Sequence, residues 1–177
     1  MSKTAEKLAK TIRDVKDFPV KGIVFKDITP VLKDIALFNE VIELLAEKFK
    51  GLNIDKIAGI ESRGFLFGIP LSVKMNVPFI PIRKKGKLPA ETVEASYELE
   101  YGAATVEIHK DAVSEGEKVL IVDDLLATGG TINASVELIE KLKGKPAAAA
   151  FVIELSFLNG KNNIKDKKLE VFSILKY

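Results

Sequence analysis

A chain of 177 residues, 47% hydrophobic and 29% charged, suits a single α/β domain with a substantial core and excludes disorder. Lys and Arg number 27 against 25 Asp and Glu, so a net charge of +2 supplies no global field for nucleic acid or membrane, and any basic site must be local. The lack of Cys excludes disulfides, thiolate metal sites and a Cys nucleophile; with no secretory signal in Met1-Ser2-Lys3-Thr4-Ala5-Glu6-Lys7 and no run long enough to span a membrane, a cytoplasmic protein is expected.

Ala5, Leu8, Ala9, Ile12 and Val15 recur at helical spacing and predict a surface helix over 4–15. Residues 18–30 carry a Pro near each end and Gly22 inside, yet are rich in Ile, Val and Phe. The reading is a loop that buries these side chains, plugging the core. Phe38, Val41, Ile42, Leu45 and Phe49 predict a helix over 35–50. Ile57-Ala58-Gly59-Ile60 reads as a short buried strand that ends in Glu61, Ser62, Arg63 and Gly64. A helix over 65–75 and a strand over 77–82 follow, which implies a right-handed parallel crossover.

Residues 83–102 break this pattern, starting basic (Arg83, Lys84, Lys85, Lys87) and turning acidic and aromatic (Tyr97, Glu98, Glu100, Tyr101). A segment this long is a lid or binding loop that can carry its own hairpin. Thr105-Val106-Glu107-Ile108-His109 alternates like a half-exposed strand, and its lone His reads as structural. Residues 147–153 predict a buried strand, 161–168 a solvated basic loop, and 169–175 an edge strand.

The informative stretch is Val119-Leu120-Ile121-Val122-Asp123-Asp124-Leu125-Leu126-Ala127-Thr128-Gly129-Gly130-Thr131. Four consecutive apolar residues cannot alternate in and out, so they form a strand buried on both faces, as in a parallel sheet. Two carboxylates follow at its carboxyl end, where open α/β sheets place ligands. Ile132, Val136, Ile139 and Leu142 then mark a helix opened by Thr131. Residues 127–131 can therefore wrap N–H groups around an anion at a helix N-terminus, which carries roughly half a positive charge. A Walker A loop would need Lys after its second Gly, where Thr131 stands, and Gly129-Gly130 does not supply the dinucleotide Gly-x-Gly-x-x-Gly. The plainer alternative is a glycine turn with two solvated acids. Both central strands end in polar turns, so one rim gathers an anion nest, two carboxylates, Arg63 and the Arg83–Lys87 cations. That suits a phosphate, then vicinal hydroxyls, then a second polyanion.

The string Val122-Asp123-Asp124-Leu125-Leu126-Ala127-Thr128-Gly129-Gly130-Thr131 resembles the phosphoribosyl-pyrophosphate motif of type I phosphoribosyltransferases, in the form found in their adenine-specific branch. The resemblance extends over most of the chain through Gly22-Ile23-Val24-Phe25-Lys26-Asp27-Ile28-Thr29-Pro30-Val31-Leu32, Ser62-Arg63-Gly64-Phe65-Leu66-Phe67-Gly68, Arg83-Lys84-Lys85-Gly86-Lys87-Leu88-Pro89 and Leu99-Glu100-Tyr101-Gly102. It implies the type I α/β fold, a mostly parallel sheet flanked by helices, as one domain over 1–177. An N-terminal helix and base-binding hood would reach to about residue 34, with a flexible lid over about 83–104. The activity implied is transfer of phosphoribose to adenine, giving AMP and pyrophosphate in purine salvage, by a magnesium-dependent homodimer.

By the same resemblance, Asp123 and Asp124 hold the ribose hydroxyls, and Ala127, Thr128, Gly129, Gly130 and Thr131 hold the 5-phosphate. Glu61, Ser62 and Arg63 meet the pyrophosphate, with Arg83, Lys84 and Lys87 adding charge and Tyr101 joining the substrate site. Adenine lies between Phe25 and Leu125, its edge read by backbone groups of Val24 and Lys26. Glu100 faces the imidazole side of the purine, and Glu100 and Arg63 are the catalytic pair; no side chain is a dedicated metal ligand, magnesium being held mainly through substrate. Lys26 stands where members commonly have Arg, and Glu61 where Asp is frequent. A phosphoribosyltransferase for another base would lack the Phe25 and Glu100 segments. A phosphoribosyl-pyrophosphate-sensing regulator on the same fold would want an added DNA-binding domain or a broad basic surface.

Overall fold

The computed structural model describes residues 2–98 and 102–177. Its centre is a seven-stranded sheet in the order β5-β6-β4-β3-β7-β8-β9. These strands are β3 (Lys56–Ile60), β4 (Phe79–Lys84), β5 (Thr92–Glu98), β6 (Ala103–His109), β7 (Lys118–Leu126), β8 (Lys145–Glu154) and β9 (Glu170–Lys176). The pairs among β4, β3, β7, β8 and β9 are parallel, whereas β6 runs antiparallel to both β4 and β5. The expected mostly parallel α/β fold is thus present, with β9 at its edge.

Helices cover both faces. On one lie α1 (Lys3–Thr11), α2 (Thr29–Lys33), α3 (Ile35–Phe49) and α4 (Arg63–Met75), packed through Leu45, Phe49, Phe67 and Leu71 onto Ile57, Leu120 and Val122. On the other, α5 (Gly130–Lys141) buries Ile132, Leu138 and Ile139 against Val119, Ile121 and Ala149. Consecutive residues of β7 therefore feed two different cores, which is why its sequence is apolar without alternation. Helix starts follow local chemistry: Ser2 Oγ accepts from Ala5 N–H at 3.2 Å, and Asp34 Oδ1 from Leu37 N–H at 3.0 Å.

Several sequence expectations need correction. The first helix stops at Thr11 because Ile12 turns extended, and Val15 belongs to β1 (Arg13–Lys16), which pairs antiparallel with β2 (Val24–Asp27). Residues 18–30 do not plug the core as a loop. Val24 to Asp27 is strand, and Phe18, Val20, Ile23 and Val24 are exposed; only Ile28 in this stretch is a buried hydrophobic. In 83–102 the expected hairpin strand is present, β5 over 92–98 pairing antiparallel with β6, and β4 runs on to Lys84, two residues past the expected strand end. β6 is not half exposed, because flanking strands and α5 cover Val106, Glu107 and Ile108. Finally, β7 continues past its apolar run to Leu126, so Asp123 and Asp124 sit within the sheet, opposite β8.

The chain leaves β3 for β4 on one side and later builds β7 and β8 on the other, so the order switches between β3 and β7. Ligands of open α/β sheets bind outside the carboxyl ends at such a switch. Here the turn after β3 and the turn after β7 face each other. Their spacing depends on Gly64, where a Cβ would lie 2.5 Å from Val122 O, a backbone atom that cannot step aside. Gly64→Ala is therefore predicted to cost about 1–3 kcal/mol by forcing α4 away from β7. A urea midpoint equal to that of the unsubstituted protein would show that the contact is soft.

Candidate active site

Two turns and one strand end build the rim. The first turn, Glu61-Ser62-Arg63, contains a cis peptide between Glu61 and Ser62 and leads into α4. Arg63 reaches across to β7, where its Nε lies 2.8 Å from Asp124 Oδ2. Asp124 is 2% exposed, and Oδ2 accepts no hydrogen bond: the Arg63 N–H is close but not aimed at it. A buried carboxylate oxygen is thereby left with Coulombic compensation and a free acceptor direction. The Arg63 guanidinium also lies 5.3 Å from the Phe25 ring centroid, linking the hood hairpin β1–β2 to this rim.

Asp123, beside it, accepts Asp124 N–H at 2.8 Å. Burial, and secondly the neighbouring Asp124 charge, push the Asp123 carboxyl well above the usual carboxylate range; its bond from Asp124 N–H and the more distant Arg63 only partly offset this. The second turn, 127–130, carries Gly129 at φ +91° as the residue before α5, a left-handed conformation that glycine adopts without strain. A cavity of about 200 Å³ joins the two acids to Ala127, Thr128, Gly129, Gly130 and Thr131, with Arg63 and Leu125 on its wall.

A neighbouring cavity of about 470 Å³ is lined by Glu61, Ser62, Arg63, Lys84, Lys87, Asp123 and Asp124. Its acid and cations are not equivalent. Glu61 takes Arg83 in two bonds, 3.2 and 2.9 Å, and Lys84 N–H at 3.1 Å. Arg83 foremost, with that N–H, holds the Glu61 carboxyl below its ordinary range against the cost of burial. Arg83 is thus engaged with Glu61 and with Lys87 O at 2.8 Å and is not among the residues lining this cavity. Arg63 and Glu61, two residues apart on one turn, therefore have different partners, Asp124 and Arg83.

Apart from Leu125, the residues expected around the base lie on β2 of the hood. Phe25 is half-buried, edge-on to Phe18 at 5.2 Å, and Val24 is exposed. The Lys26 side chain is turned to Asp14 at 2.7 Å and the Tyr177 ring at 3.8 Å, leaving only its backbone for the site. Glu100 and Tyr101 lie outside the described residues. Sequence reading missed Glu107, buried in β6, which accepts from Lys87 N–H and Leu88 N–H at 2.9 Å each and shapes the basic turn. It also missed Asn163, which donates to Thr128 O at 3.0 Å. A single acid in an alternating strand and an Asn in a polar loop carry no local signal of these partners.

A switch-point rim that sets an anion nest beside a buried and a half-buried acid and a basic turn defines a phosphoribosyl transferase domain, and a family model of that description matches residues 29–175. An adenine phosphoribosyltransferase from Halothermothrix orenii is 54% identical over 168 residues, covering 95% of this chain and 98% of its own. The crystal structure of adenine phosphoribosyltransferase from Thermoanaerobacter pseudethanolicus superposes with a TM-score of 0.94 at 53% identity, covering 98% of this chain and 99% of its own. The Saccharomyces cerevisiae enzyme superposes at 0.92 with 41% identity, covering 99% and 100%. The chain belongs to the adenine phosphoribosyltransferases, and its reaction is transfer of phosphoribose from phosphoribosyl pyrophosphate to adenine, yielding AMP and pyrophosphate.

The raised Asp123 carboxyl has a consequence for the free protein. A folded-state value above the unfolded one means that the native state binds more protons between the two, so stability falls as pH rises through that window. Asp123→Asn is predicted to raise the melting temperature of the ligand-free protein by a few degrees at pH 7 and by little near pH 4, below which both states are protonated. Calorimetry across that range checks it, and equal melting temperatures at pH 7 would refute it.

Proposed function

We propose that this rim carries out the transfer with the residues assigned above, in a cytoplasmic homodimer that uses magnesium. The observation that carries the assignment is the convergence of the nest, the Arg63–Asp124 pair and Phe25 on one switch point. On this reading residues 127–131 take the 5-phosphate on their N–H groups. Asp123 and Asp124 accept from the ribose hydroxyls, the unpartnered Asp124 Oδ2 among the acceptors. Ser62, Arg63, Lys84 and Lys87 hold the pyrophosphate, while Glu61 acts through the turn and Arg83 through Glu61. The Saccharomyces cerevisiae relative is described in complex with adenine, and the Giardia lamblia one, 33% identical, with 9-deazaadenine. Those complexes support a base site between Phe25 and Leu125.

The chemistry suits these groups. Displacement of pyrophosphate from the anomeric carbon passes through an oxocarbenium-like state, as in glycoside hydrolysis. Arg63, Lys84 and Lys87 stabilise the departing charge, and they accelerate the step to the extent that this contact is stronger in the transition state. Glu100, by family resemblance, takes the purine proton, a general-base role worth about 10²–10⁴-fold. Arg63 beside Phe25 competes with an aromatic base for that ring, so an anion that draws the guanidinium away frees the ring for adenine.

The donor set fits magnesium. Two adjoining carboxylates beside a polyphosphate site offer the one or two protein oxygens that magnesium takes, the rest coming from substrate and water. Among the described residues no group of three or more His, Cys, Asp or Glu converges, so Asp123 and Asp124 are the side chains that would help hold it. When bound, it would neutralise charge on the leaving pyrophosphate. The dimer is supported by α4, whose outward face exposes Leu66, Ile69 and Val73, the last to 77%, as one apolar stripe. No described helix is long and apolar enough to cross a membrane.

Supplying free bases with phosphoribosyl pyrophosphate and magnesium and measuring nucleotide formed tests the reading. Adenine should exceed hypoxanthine and guanine by orders of magnitude, since a 6-oxopurine sets acceptor against acceptor at the backbone of residues 24 and 26. In the same assay Asp124→Asn should lower kcat/KM by roughly ten- to a hundredfold through loss of charge-assisted bonds to ribose. Near-normal turnover would remove Asp124 from the sugar site.

Lys26 gives a separate outcome. Because its side chain anchors the hood to Asp14 and Tyr177, Lys26→Ala should raise the KM for adenine several-fold while leaving the preference for adenine over hypoxanthine intact. A changed preference would mean that the ammonium itself reads the base.

A further inference from the structure

Residues 161–168 read from sequence as a solvated basic loop, but the structure folds 159–165 back onto the rim and buries Ile164. They are packed against the outer side of the anion nest. A short helix, α6 (Gly160–Asn163), brings Gly160 so close that a Cβ there would stand 2.0 Å from Ala127 O, and a Cβ on Gly129 would stand 2.7 Å from Gly160 O. The Asn163 side-chain amide donates to Thr128 O at 3.0 Å, and Asn163 is itself tethered, its carbonyl accepting from Asn133 Nδ2 of α5 at 2.9 Å. Asn133 Oδ1 in turn accepts Lys165 N–H at 2.9 Å, closing the link between α5 and the loop.

We propose that Asn163 is a positioning residue for the 5-phosphate, acting through the Thr128–Gly129 peptide. The only cis bonds among the described residues are Phe18–Pro19 and Glu61–Ser62, so this peptide is trans. In a trans peptide the C=O and the following N–H point in opposite directions. Holding Thr128 O outward on Asn163 therefore holds Gly129 N–H on the other side, toward the anion. Gly129 O accepts Asn133 N–H at 3.1 Å as the first hydrogen bond of α5, which by itself orients the next donor, Gly130 N–H. Glycine has the widest backbone freedom, so without the Asn163 bond the Gly129 donor would have to be ordered by the ligand, at a cost to affinity. A donor on the carbonyl also polarises the peptide and strengthens its N–H toward phosphate. The inference rests on the reading of 127–131 as the 5-phosphate site, and it adds a brace from a distant part of the chain.

The test uses Asn163→Ala and Asn163→Asp, the second keeping the shape but removing the donor. Titration calorimetry of the full chain measures ribose 5-phosphate, which occupies the nest, and magnesium pyrophosphate, which does not. Loss of one hydrogen bond should weaken ribose 5-phosphate about threefold to tenfold, more for Asp than Ala, with pyrophosphate unchanged. In steady state the KM for phosphoribosyl pyrophosphate should rise, while kcat at saturation and the KM for adenine stay near normal. Asn133→Ala, one bond further out, should shift ribose 5-phosphate the same way by less, and it decides the matter if the Asn163 variants do not fold. Unchanged ribose 5-phosphate affinity overturns the proposal, as does an equal loss for both ligands, which would mean general loosening of the rim. Failure of the unsubstituted protein to bind ribose 5-phosphate would reject the assignment of the nest itself, and the brace with it.

Discussion

A carboxylate buried at the carboxyl end of the central strand is the constraint on which this rim depends. Asp124 is almost fully removed from water, and a lone charge there would be prohibitively costly. Arg63 compensates it from the opposite turn, and Arg63 can arrive only because α4 begins hard against β7, at a glycine with no Cβ to collide with Val122 O. One close backbone approach thus brings the cation to the acid, and the same cation reaches Phe25 of the hood. Hood, turn and strand end are joined through a single guanidinium.

What could be read in advance follows from how local each signal is. The nest and acid pair form one contiguous string, and a four-residue apolar run predicts a doubly covered strand wherever its partners come from. The run understated β7, because Asp123 and Asp124 stay in register with β8 although polarity marks the end of the predicted strand. Val15 was misread since its spacing from Ile12 fits a helix, while its strand partner is Phe25, which periodicity cannot see. Exposed apolar side chains in the hood defeat a rule that counts hydrophobic residues as core. Asn163 and Glu107 were invisible for a shared reason: their partners are backbone groups remote in sequence, and polarity alone reads as solvent.

Lys26 illustrates how backbone recognition releases a side chain for another task. If the base is read by the carbonyl and N–H of β2, residue 26 is free to face away. Its ammonium sits between Asp14 on the partner strand and the Tyr177 ring beyond β9. Arg13 and Thr29 likewise hold Asp27, whose carboxyl is kept low first by the Thr29 N–H, against the cost of burial, and by Arg13. The residue type at 26 is then set by what steadies the hairpin, and an exchange among long cations there changes the anchor before it changes the base.

The distribution of charge along the rim separates support from recognition. Glu61 and Arg83 satisfy each other, and Glu107 fixes the turn that carries Lys87, so these groups are already committed before any ligand arrives. Asp123 and Asp124 are the reverse case: crowded together, Asp123 half-buried and Asp124 buried with an Oδ2 that lacks a donor. Such an arrangement is unfavourable in the empty protein and improves when hydroxyls or a cation approach. Folding stability is given up at the place where binding restores it.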